Sequence, residues 1–438
     1  MNDLRQEAIS VLAGNEGGGY IAPARGLYTH QHLWDTCFTA IGQRHYDLAG
    51  AMAGMRRLLS AQWANGMVPH IIFEPGWKYW WDRRNWRSWV SGSAPRGLAT
   101  GGITQPPMIA EAVVRIGELL PAAGQAAWYR SVYDQLVAYH QWLYRERARH
   151  GSGLVLLIHP WETGLDTTPP WLASLEADPA PWWLRFMVRA KLDRAAGHLR
   201  RDTRYVPADQ RSSVAEALRL YDALRHIRKR RYDTAAILDR PDFAIEDLTY
   251  NSILIRANTL LRQISESIGA ELPGPLLDSM RKNEEAMETL WHEADESYYS
   301  RDVRAGRLLK EPSIAALMPL YAGCADQVRA KRLAGMLADP GLFGSPYPVP
   351  SVPVSSRWFS PLRYWQGPTW INTNWLIIDG LHRHGFTAEA GRLRQRTLDL
   401  VRANGFWEYY HPVTGAPAGA SNFSWTAALT IDLLAQPR

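Results

Sequence analysis

The chain has 438 residues, of which 46% are hydrophobic and 21% charged, and this balance excludes wholesale disorder. The net charge of +6 includes only six lysines among 49 basic residues, and the arginines are spread along the chain among 43 acidic residues. That spread argues against a nucleic-acid-binding surface, and the basic run from Arg225 to Arg231 is more typical of a solvent-exposed helix face.

Hydrophobic side chains recur at helical spacing through most of the chain, and no convincing alternating strand pattern accompanies them. In chain order, helices are predicted over residues 38–63, 107–120, 125–146, 182–200, 212–231, 246–268, 274–292, 312–321, 325–338, 368–384, 387–404 and 424–435. Residues 155–158 form a short strand-like piece that we expect within a loop. A dozen paired helices joined by long loops favour an all-α fold, an (α/α)6 toroid of helical hairpins.

Residues 167–245 differ in composition from the rest of the chain, being rich in tryptophan and proline at their start and in charge later. This difference predicts a helical cap packed over one end of the toroid. Residues 1–166 and 246–438 then form the catalytic barrel, and residues 167–245 form the cap.

Aromatic residues with polar edges are in excess, because the chain has 20 tryptophans and 19 tyrosines but only nine phenylalanines. Such side chains suit flat amphipathic ligands such as sugars. Five segments expected in loops combine a carboxylate or an amide with tryptophan, glycine or proline, at 33–35, 101–107, 159–166, 364–368 and 406–410. Sugar sites need both kinds of side chain, although each segment alone could be a structural loop whose acid caps a helix.

Glycoside hydrolysis requires two carboxyl groups, one protonated and one ionised, on either side of the bond that breaks. Asp166 lies in a largely apolar stretch that should raise its pKa, which suits a general acid. Glu408 lies between Trp407 and Tyr409 in what we expect to be the last large loop. Glu162 is the alternative candidate for the general acid, but we interpret it as a ligand to hydroxyls or to backbone groups.

The sequence contains no glycine-rich phosphate loop and no zinc motif. His30 and His32 lack a third ligand in view and are expected to be loop histidines, and Cys37 and Cys324 are too few for a disulfide framework. No apolar run approaches the roughly 18 residues of a membrane span, and no secretory signal is evident. We therefore expect a cytoplasmic protein without metal or cofactor, which binds neither nucleic acid nor membrane, with a homodimer as the base-rate expectation.

Four of the five segments, together with one near the end of the chain, also carry a resemblance to a known family. Their motifs are GITQPP, WETGLD, YWQGPTW and EYYHPVTG, followed by SWTAA, and the match runs from about Tyr28 to Leu434. The set resembles the bacterial members of the glycoside hydrolase family that includes processing α-glucosidase I, and within it the glucosylglycerate and mannosylglycerate hydrolases. The resemblance implies an (α/α)6 barrel with a helical cap and hydrolysis with inversion, with Asp166 as the acid and Glu408 as the base.

The same resemblance implies the substrate-binding residues. It assigns sugar hydroxyls to Trp34, Asp35, Tyr79 and Gln105, pocket walls to Trp365, Trp370 and Trp425, and a place near the mouth to Tyr28. The predicted substrate-binding set also includes Trp161, Glu162, Gly164 and Tyr364 of the same motifs. Arg211 matches an arginine that holds the glycerate carboxylate, although it could equally be an ordinary surface arginine at the start of a helix.

Three segments depart from the family pattern, at residues 167–172, 80–82 and 32–33. All three are expected near the mouth of the pocket, where they bear on the part of the substrate beyond the sugar. Five tryptophans of one of these regions stay unexplained by the resemblance: Trp77, Trp80, Trp81, Trp86 and Trp89.

The leading prediction is an exo-acting, inverting hydrolase of a small α-glycoside, with α-glucosylglycerate or α-mannosylglycerate as the expected substrate. One alternative is an α-glucosidase that acts on a neutral disaccharide such as kojibiose or trehalose. A second is a sugar epimerase on the same toroid, for which His70, His159 or His411 would be the candidate base. A third is a sugar-binding protein without catalysis, which would not need both Asp166 and Glu408.

Overall fold

The computed structural model describes residues 2–177, 181–189, 200 and 202–436. The α-helices are α1 (Asn2–Asn15), α2 (Leu33–Gln43), α3 (Leu48–Ser60), α4 (Trp80–Trp86), α5 (Ile109–Gly117), α6 (Ala122–Arg147), α7 (Pro169–Ala177), α8 (Trp182–Arg189), α9 (Val214–Lys229), α10 (Thr234–Asp239), α11 (Leu248–Ile268), α12 (Gly274–Ala286), α13 (Met318–Ala322), α14 (Gln327–Met336), α15 (Ile371–Arg383), α16 (Thr387–Asn404) and α17 (Ser424–Ala435).

The strands are short and pair antiparallel into small sheets at the ends of the helices. They are β1 (Glu16–Gly17), β2 (Tyr20–Ile21), β3 (Gln31–His32), β4 (Ile71–Ile72), β5 (Ile245–Glu246), β6 (Trp291–His292), β7 (Ser297–Tyr298), β8 (Arg301–Asp302), β9 (Arg307–Leu308), β10 (Trp407–Tyr410) and β11 (Pro417–Ser421). The pairs are β1 with β2, β3 with β4, β6 with β7 and β10 with β11, and β8 lies between β5 and β9.

Six helices form a closed inner ring in the order α2, α5, α11, α13, α15 and α17, and α17 packs against α2 to complete it. The helices α1, α3, α6, α12, α14 and α16 pack outside this ring. All 11 residues of α2 are buried, as expected for a helix that meets neighbours on every side. The fold is therefore the predicted all-α (α/α)6 toroid.

A buried carboxylate joins three inner-ring segments where the ring closes. Asp432 of α17 accepts hydrogen bonds from Arg44 at 2.9 Å, from His45 at 2.9 Å and from the indole of Trp375 at 2.8 Å. Burial alone would raise the pKa of Asp432, but these partners hold it well below its usual range. The ion pair therefore links the end of α2 to α15 and α17.

The helices α2 and α17 approach so closely that Gly42 has no room for a side chain. A Cβ atom there would lie 2.0 Å from the backbone oxygen of Ala428. We expect Gly42→Ala to lower the free energy of unfolding by about 1–3 kcal/mol or more, because the two backbones must separate. Urea denaturation measures this loss.

Gly54 of α3 is the matched control, since a Cβ atom at that buried position would meet nothing within 4 Å. Gly54→Ala should instead stabilise the protein by about 0.5–1 kcal/mol, because alanine loses less backbone entropy in a helix. Equal denaturation midpoints for the Gly42 variant and the native protein would contradict the close approach.

Several predicted boundaries are wrong for local reasons. The single helix expected at 38–63 is broken between α2 and α3, where Asp47 accepts from the backbone N–H of Gly50 at 2.9 Å and starts a new helix. The helix expected at 274–292 ends at Ala286, and its last residues form β6. The helix expected at 182–200 begins as α8, but residues 190–199 lie outside the described residues.

The region predicted as a cap contains α7 to α10 and two short 3-10 turns, Asp202–Arg204 and Ala208–Gln210. It contacts the β10–β11 hairpin, because Tyr409 donates to the backbone oxygen of Gln210 at 2.8 Å and the Gln210 side chain accepts from Gly419 at 3.0 Å. These contacts bring the segment that carries Arg211 against the segment that carries Glu408.

Candidate active site

One cavity of about 360 Å³ lies at the N-terminal ends of the inner helices α2, α5, α15 and α17. Trp34 and Asp35 occupy the first turn of α2, Trp425 the first turn of α17, and Gln105 and Trp365 the segments just before α5 and α15. The predicted site residues that line the cavity are Tyr28, Trp34, Asp35, Gln105, Trp161, Gly164, Asp166, Arg211, Tyr364, Trp365, Glu408 and Trp425. Segments that are distant in the sequence therefore meet at one end of the ring.

Asp166 reaches the cavity from a turn that only glycine allows. Gly164 has a φ of +74°, and a Cβ atom on it would lie 2.7 Å from the indole of Trp34. Burial raises the pKa of the Asp166 carboxyl to about 7, and the Tyr364 hydroxyl, which donates to its Oδ2 at 3.4 Å, partly offsets this rise. Asp166 is therefore protonated in a large fraction of molecules near neutral pH.

Glu162, the rival of Asp166, does not line the cavity. Its carboxylate is buried and forms a two-pronged ion pair with Arg147 at 2.8 and 3.0 Å. It also accepts from the backbone N–H groups of Ile158 at 2.8 Å and Thr104 at 3.3 Å. Glu162 thus ties the loop of Asp166 to the loop of Gln105. Of the two roles predicted for it, as a ligand to hydroxyls or to backbone groups, these contacts match the second, whereas its place outside the lining does not match the predicted substrate-binding set.

Glu408 lies on the strand β10 rather than in a loop, so the expectation of a large loop is wrong at this position. The pairing of β10 with β11 shifts register between Trp407 and Tyr409, and such a bulge re-aims the side chain between them. Glu408 Oε2 accepts from the backbone N–H of Ala420 at 2.9 Å. A Cβ atom at Gly419 would come within 2.6 Å of the same oxygen, so the partner strand requires glycine there.

Arg211 is buried in the cavity wall, so the alternative of a surface arginine is wrong. Its guanidinium forms a two-pronged ion pair with Glu408, at 2.6 Å to Oε2 and 3.1 Å to Oε1. It also donates to the hydroxyl of Tyr28 at 2.7 Å and lies over the ring of Tyr364 at 4.9 Å. The arginine predicted to hold a substrate carboxylate holds a carboxylate of the protein in this structure.

Two tyrosine hydroxyls lie between the two acidic groups. Tyr28 donates to Glu408 Oε1 at 3.0 Å, Tyr364 donates to Asp166, and the two hydroxyls are 3.5 Å apart. Tyr364 has a φ of +39°, an unusual value for a bulky residue, and the Trp370 indole donates to its backbone oxygen at 3.2 Å. The strained backbone holds the phenol between the carboxyl groups.

Asp35 faces the cavity from the first turn of α2. Burial, with smaller contributions from the nearby acids Glu408 and Asp166, raises the pKa of this carboxyl to about 8, against the lowering effect of its own backbone hydrogen bond. A protonated carboxyl has both a donor and an acceptor, which suits two neighbouring sugar hydroxyls. Nearby, the buried side-chain oxygen of Gln105 has no hydrogen-bond partner within the described part of the chain.

Indoles form one wall of the cavity. Trp365 stacks on Trp370 with ring centroids 3.8 Å apart, and Trp34 and Trp370 both lie edge-on to Trp425 at 5.5 and 5.7 Å. Trp370 supports Trp365 from behind and does not itself line the cavity. Tyr79 does not line it either, and its buried side chain packs against His30.

Some lining residues were not among the predicted catalytic and substrate-binding residues, although His32 was expected near the mouth of the pocket and His70 was considered as an epimerase base. They are Pro23, His32, His70, Ile71, Trp86, Asp202, Ser212 and Phe423. Phe423 lies two residues before Trp425, and Trp86 lies in the tryptophan-rich segment 77–89. The neighbouring residues in the sequence could therefore have indicated that both belong to the site. Asp202 had no such signal. The tryptophans Trp77, Trp81 and Trp89 are mostly exposed and outside the cavity.

Among the described residues, no group of three or more histidine, cysteine, aspartate or glutamate side chains is arranged to hold a metal ion. Within the same ranges, no helix is both long and apolar enough to cross a membrane.

Comparison with known proteins gives consistent matches over nearly the whole chain. The model of the mannosylglycerate hydrolase MGH1-like glycoside hydrolase domain matches residues 28–426. The mannosylglycerate hydrolase of Rubrobacter radiotolerans is 34% identical over 440 residues, covering 99% of this chain and 97% of that protein. The glucosylglycerate hydrolase of Mycolicibacterium hassiacum is 33% identical over 446 residues, covering 98% and 97%. The GH63 mannosylglycerate hydrolase from Thermus thermophilus, solved in complex with Tris and D-glycerate, superposes with a TM-score of 0.88 at 33% identity, covering 98% of this chain and 99% of that chain.

Proposed function

Because this chain belongs to the mannosylglycerate hydrolase MGH1-like glycoside hydrolases, and is therefore a glycosidase, we propose that it hydrolyses α-mannosylglycerate or α-glucosylglycerate with inversion. The relatives named above act on these two compounds, which differ in the orientation of one hydroxyl. We further propose that residues 1–166 and 246–438 form the catalytic barrel and residues 167–245 the cap.

The observation that carries this proposal is that Asp166 and Glu408, two of the carboxyl groups that line one cavity, lie in different environments. The pKa of Asp166 is raised to about 7 by burial, so that this group retains a proton to give. Glu408 accepts hydrogen bonds from Arg211, Tyr28 and a backbone N–H, and an ionised carboxylate has the acceptor sites for all of them. An inverting hydrolase needs such an unequal pair.

In the proposed mechanism, Glu408 takes a proton from a water molecule as the water oxygen attacks the anomeric carbon of the sugar. The glycosidic bond breaks, and Asp166 gives its proton to the departing oxygen of glycerate. The products are free glycerate and a sugar of inverted anomeric configuration. Trp34 and Trp365 offer faces for the sugar ring, while Asp35 and Gln105 offer polar groups to its hydroxyls.

The carboxyl pair and the family membership favour hydrolysis over epimerisation. Of the histidines considered as an epimerase base, His70 lines the cavity, and burial lowers its pKa well below the usual value. His159 is buried 3.0 Å from the backbone oxygen of Leu220 and does not line the cavity. His411 contacts the backbone of its own turn.

The test is a hydrolysis screen followed by NMR. We expect mannosylglycerate or glucosylglycerate to be cleaved, with the β-anomer of the sugar released first, and kojibiose, trehalose and maltose to remain intact. Release of the α-anomer would refute inversion. Cleavage of a neutral disaccharide in preference to both glycerate glycosides would refute the proposed substrate, and inversion at a ring carbon without new reducing sugar would identify an epimerase.

The pH dependence offers a sharper test of Asp166. Since the acid must be protonated, kcat/KM should fall as the pH rises through about 7. Tyr364→Phe removes a hydrogen bond that favours the ionised carboxylate, so the fall in kcat/KM should move to higher pH. Tyr133→Phe is the matched control, because that hydroxyl contacts Ser265 outside the cavity at 3.1 Å. An unmoved fall in the Tyr364 variant would contradict Asp166 as the acid.

A further inference from the structure

The ion pair between Arg211 and Glu408 leaves the carboxylate of Glu408 fully occupied. Oε1 accepts from Arg211 at 3.1 Å and from Tyr28 at 3.0 Å, while Oε2 accepts from Arg211 at 2.6 Å and from Ala420 at 2.9 Å. A carboxylate has about four acceptor positions, so a water molecule has no position from which to give its proton to this group. The structure therefore shows a carboxylate whose acceptor positions are all taken, two of them by Arg211.

Moving Arg211 without a new partner would be costly. Both members of the pair are buried, and breaking a buried ion pair by removing one partner leaves an uncompensated charge. The other acids near the guanidinium offer no ready exchange, because Asp202 is already paired with Arg200 at 2.5 and 3.0 Å and Asp166 tends to be protonated. An anion that enters the cavity would remove this cost, since the guanidinium then keeps a carboxylate partner.

Arg211 has an unused donor for such an anion. Its Nε atom is buried and has no hydrogen-bond partner among the described residues, although the other two nitrogens are engaged. Its backbone is extended, between the 3-10 turn Ala208–Gln210 and the first residue of α9. A carboxylate that met Nε and one of the terminal nitrogens would make a two-pronged contact in place of the one with Glu408.

We propose that Arg211 is a specificity gate: it masks Glu408 in the free protein, and the carboxylate of an acidic substrate draws it away and frees the base. The gate depends on the proposed function in one respect, because the proposed function identifies the acidic part of the substrate as glycerate. It gives a physical reason for preferring acidic over neutral glycosides, because a neutral sugar offers Arg211 no replacement partner and the base stays masked. Even tight binding of a neutral glycoside would not unmask Glu408, because a ligand shifts the equilibrium between the masked and unmasked states only if it binds one of them more tightly than the other.

A glycosyl fluoride tests the gate apart from the acid. Water attacks the anomeric carbon of α-D-mannosyl or α-D-glucosyl fluoride, the C–F bond breaks, fluoride leaves without a proton, and Glu408 takes the proton of the water. The place of glycerate stays empty and can be filled separately. Adding D-glycerate to the native protein should raise the rate of fluoride release about tenfold or more, because minor states of such equilibria are populated at about 0.1–10%.

The Arg211→Met variant should distinguish two roles of Arg211: masking of Glu408, and support of the fold or of the orientation of Glu408. Without glycerate, the variant should release fluoride faster than the native protein, and glycerate should no longer accelerate it. The same variant should lose about 10–100-fold in kcat/KM on the glycerate glycoside, as expected for a lost charged hydrogen-bonded contact. A residue that only supported the fold or oriented Glu408 would lower both rates.

Arg225→Met is the matched control, since Arg225 lies on α9 at 3.4 Å from Asp222 and does not line the cavity. Both of its rates should be native. If Arg211→Met fails to fold, Arg211→Lys replaces it, because a single ammonium cannot hold both oxygens of Glu408 and should unmask the base in part.

Three outcomes would overturn the gate: slower fluoride release by the Arg211 variants, inhibition of the native protein by glycerate without any acceleration, and no fluoride release by any variant. Failure of the proposed substrate is a separate result. It would appear as intact glycerate glycosides together with faster fluoride release by Arg211→Met.

Discussion

Asp166→Asn is expected to lower kcat on the glycerate glycoside by about 10²–10⁴-fold, the usual contribution of a positioned general acid. Asparagine keeps the size and the polarity of a protonated carboxyl but has no proton to give. The variant should therefore fold and bind normally, and its remaining activity should lose the fall near pH 7 that the raised pKa of Asp166 produces. Steady-state kinetics across the pH range measures both effects.

Two controls make the assignment of Asp166 specific. Glycosyl fluorides need no acid, so Asp166→Asn should retain most of the native rate of fluoride release. Glu162→Gln should instead act on stability: it leaves Arg147 without its buried partner, at a cost of about 3–5 kcal/mol in the free energy of unfolding. Near-native turnover of the glycerate glycoside by Asp166→Asn would remove this residue from the mechanism.

Glu408→Gln is expected to reduce both activities, each by about 10²–10⁴-fold when fluoride release is compared in the presence of D-glycerate, because both reactions require a base for the attacking water. This loss on the glycosyl fluoride distinguishes the base from the acid. Glutamine also ends the ion pair with Arg211, so glycerate should bind more tightly to the variant than to the native protein. Calorimetric titration with D-glycerate measures that affinity.

A cooperative thermal transition and a native circular dichroism spectrum establish that Glu408→Gln folds. Fluoride release near the native rate would rule out Glu408 as the base. Loss of glycerate binding in a folded variant would instead contradict the exchange of partners by Arg211, and would leave the assignment of the base untouched.

Much of the fold follows from hydrophobic periodicity alone. The predicted helices at 387–404 and 424–435 match α16 and α17 in full, because an outer helix of the toroid buries a regular stripe and an inner helix buries nearly every face. Periodicity failed where a single polar contact decides, as at Asp47, which starts α3 inside a pattern that reads as one helix. It also failed for the β10–β11 hairpin, whose WEYY strand is too short to show alternation.

The candidate site divides in the same way. Twelve of the predicted residues line one cavity, because sugar chemistry calls for side-chain types that are visible in the sequence. Glu162, Trp370 and Tyr79 lie outside the lining, although their motifs are as clear as the others. Whether a carboxylate or an indole faces a ligand depends on its neighbours in space. Glu162 does not line the cavity and instead forms an ion pair with Arg147, 15 residues before it in the chain.

The sequence alone determined the helical class, the ring of paired helices and the inventory of acids, amides and indoles, because local periodicity and side-chain chemistry are properties of the chain itself. Only the tertiary structure decided which charges meet and which carboxyl keeps its proton. Arg211 and Glu408 are 197 residues apart in the chain and 2.6 Å apart in space, and burial raises the pKa of Asp166 to about 7. Desolvation and Coulomb energies depend on distance and burial, which exist only once the ring has closed.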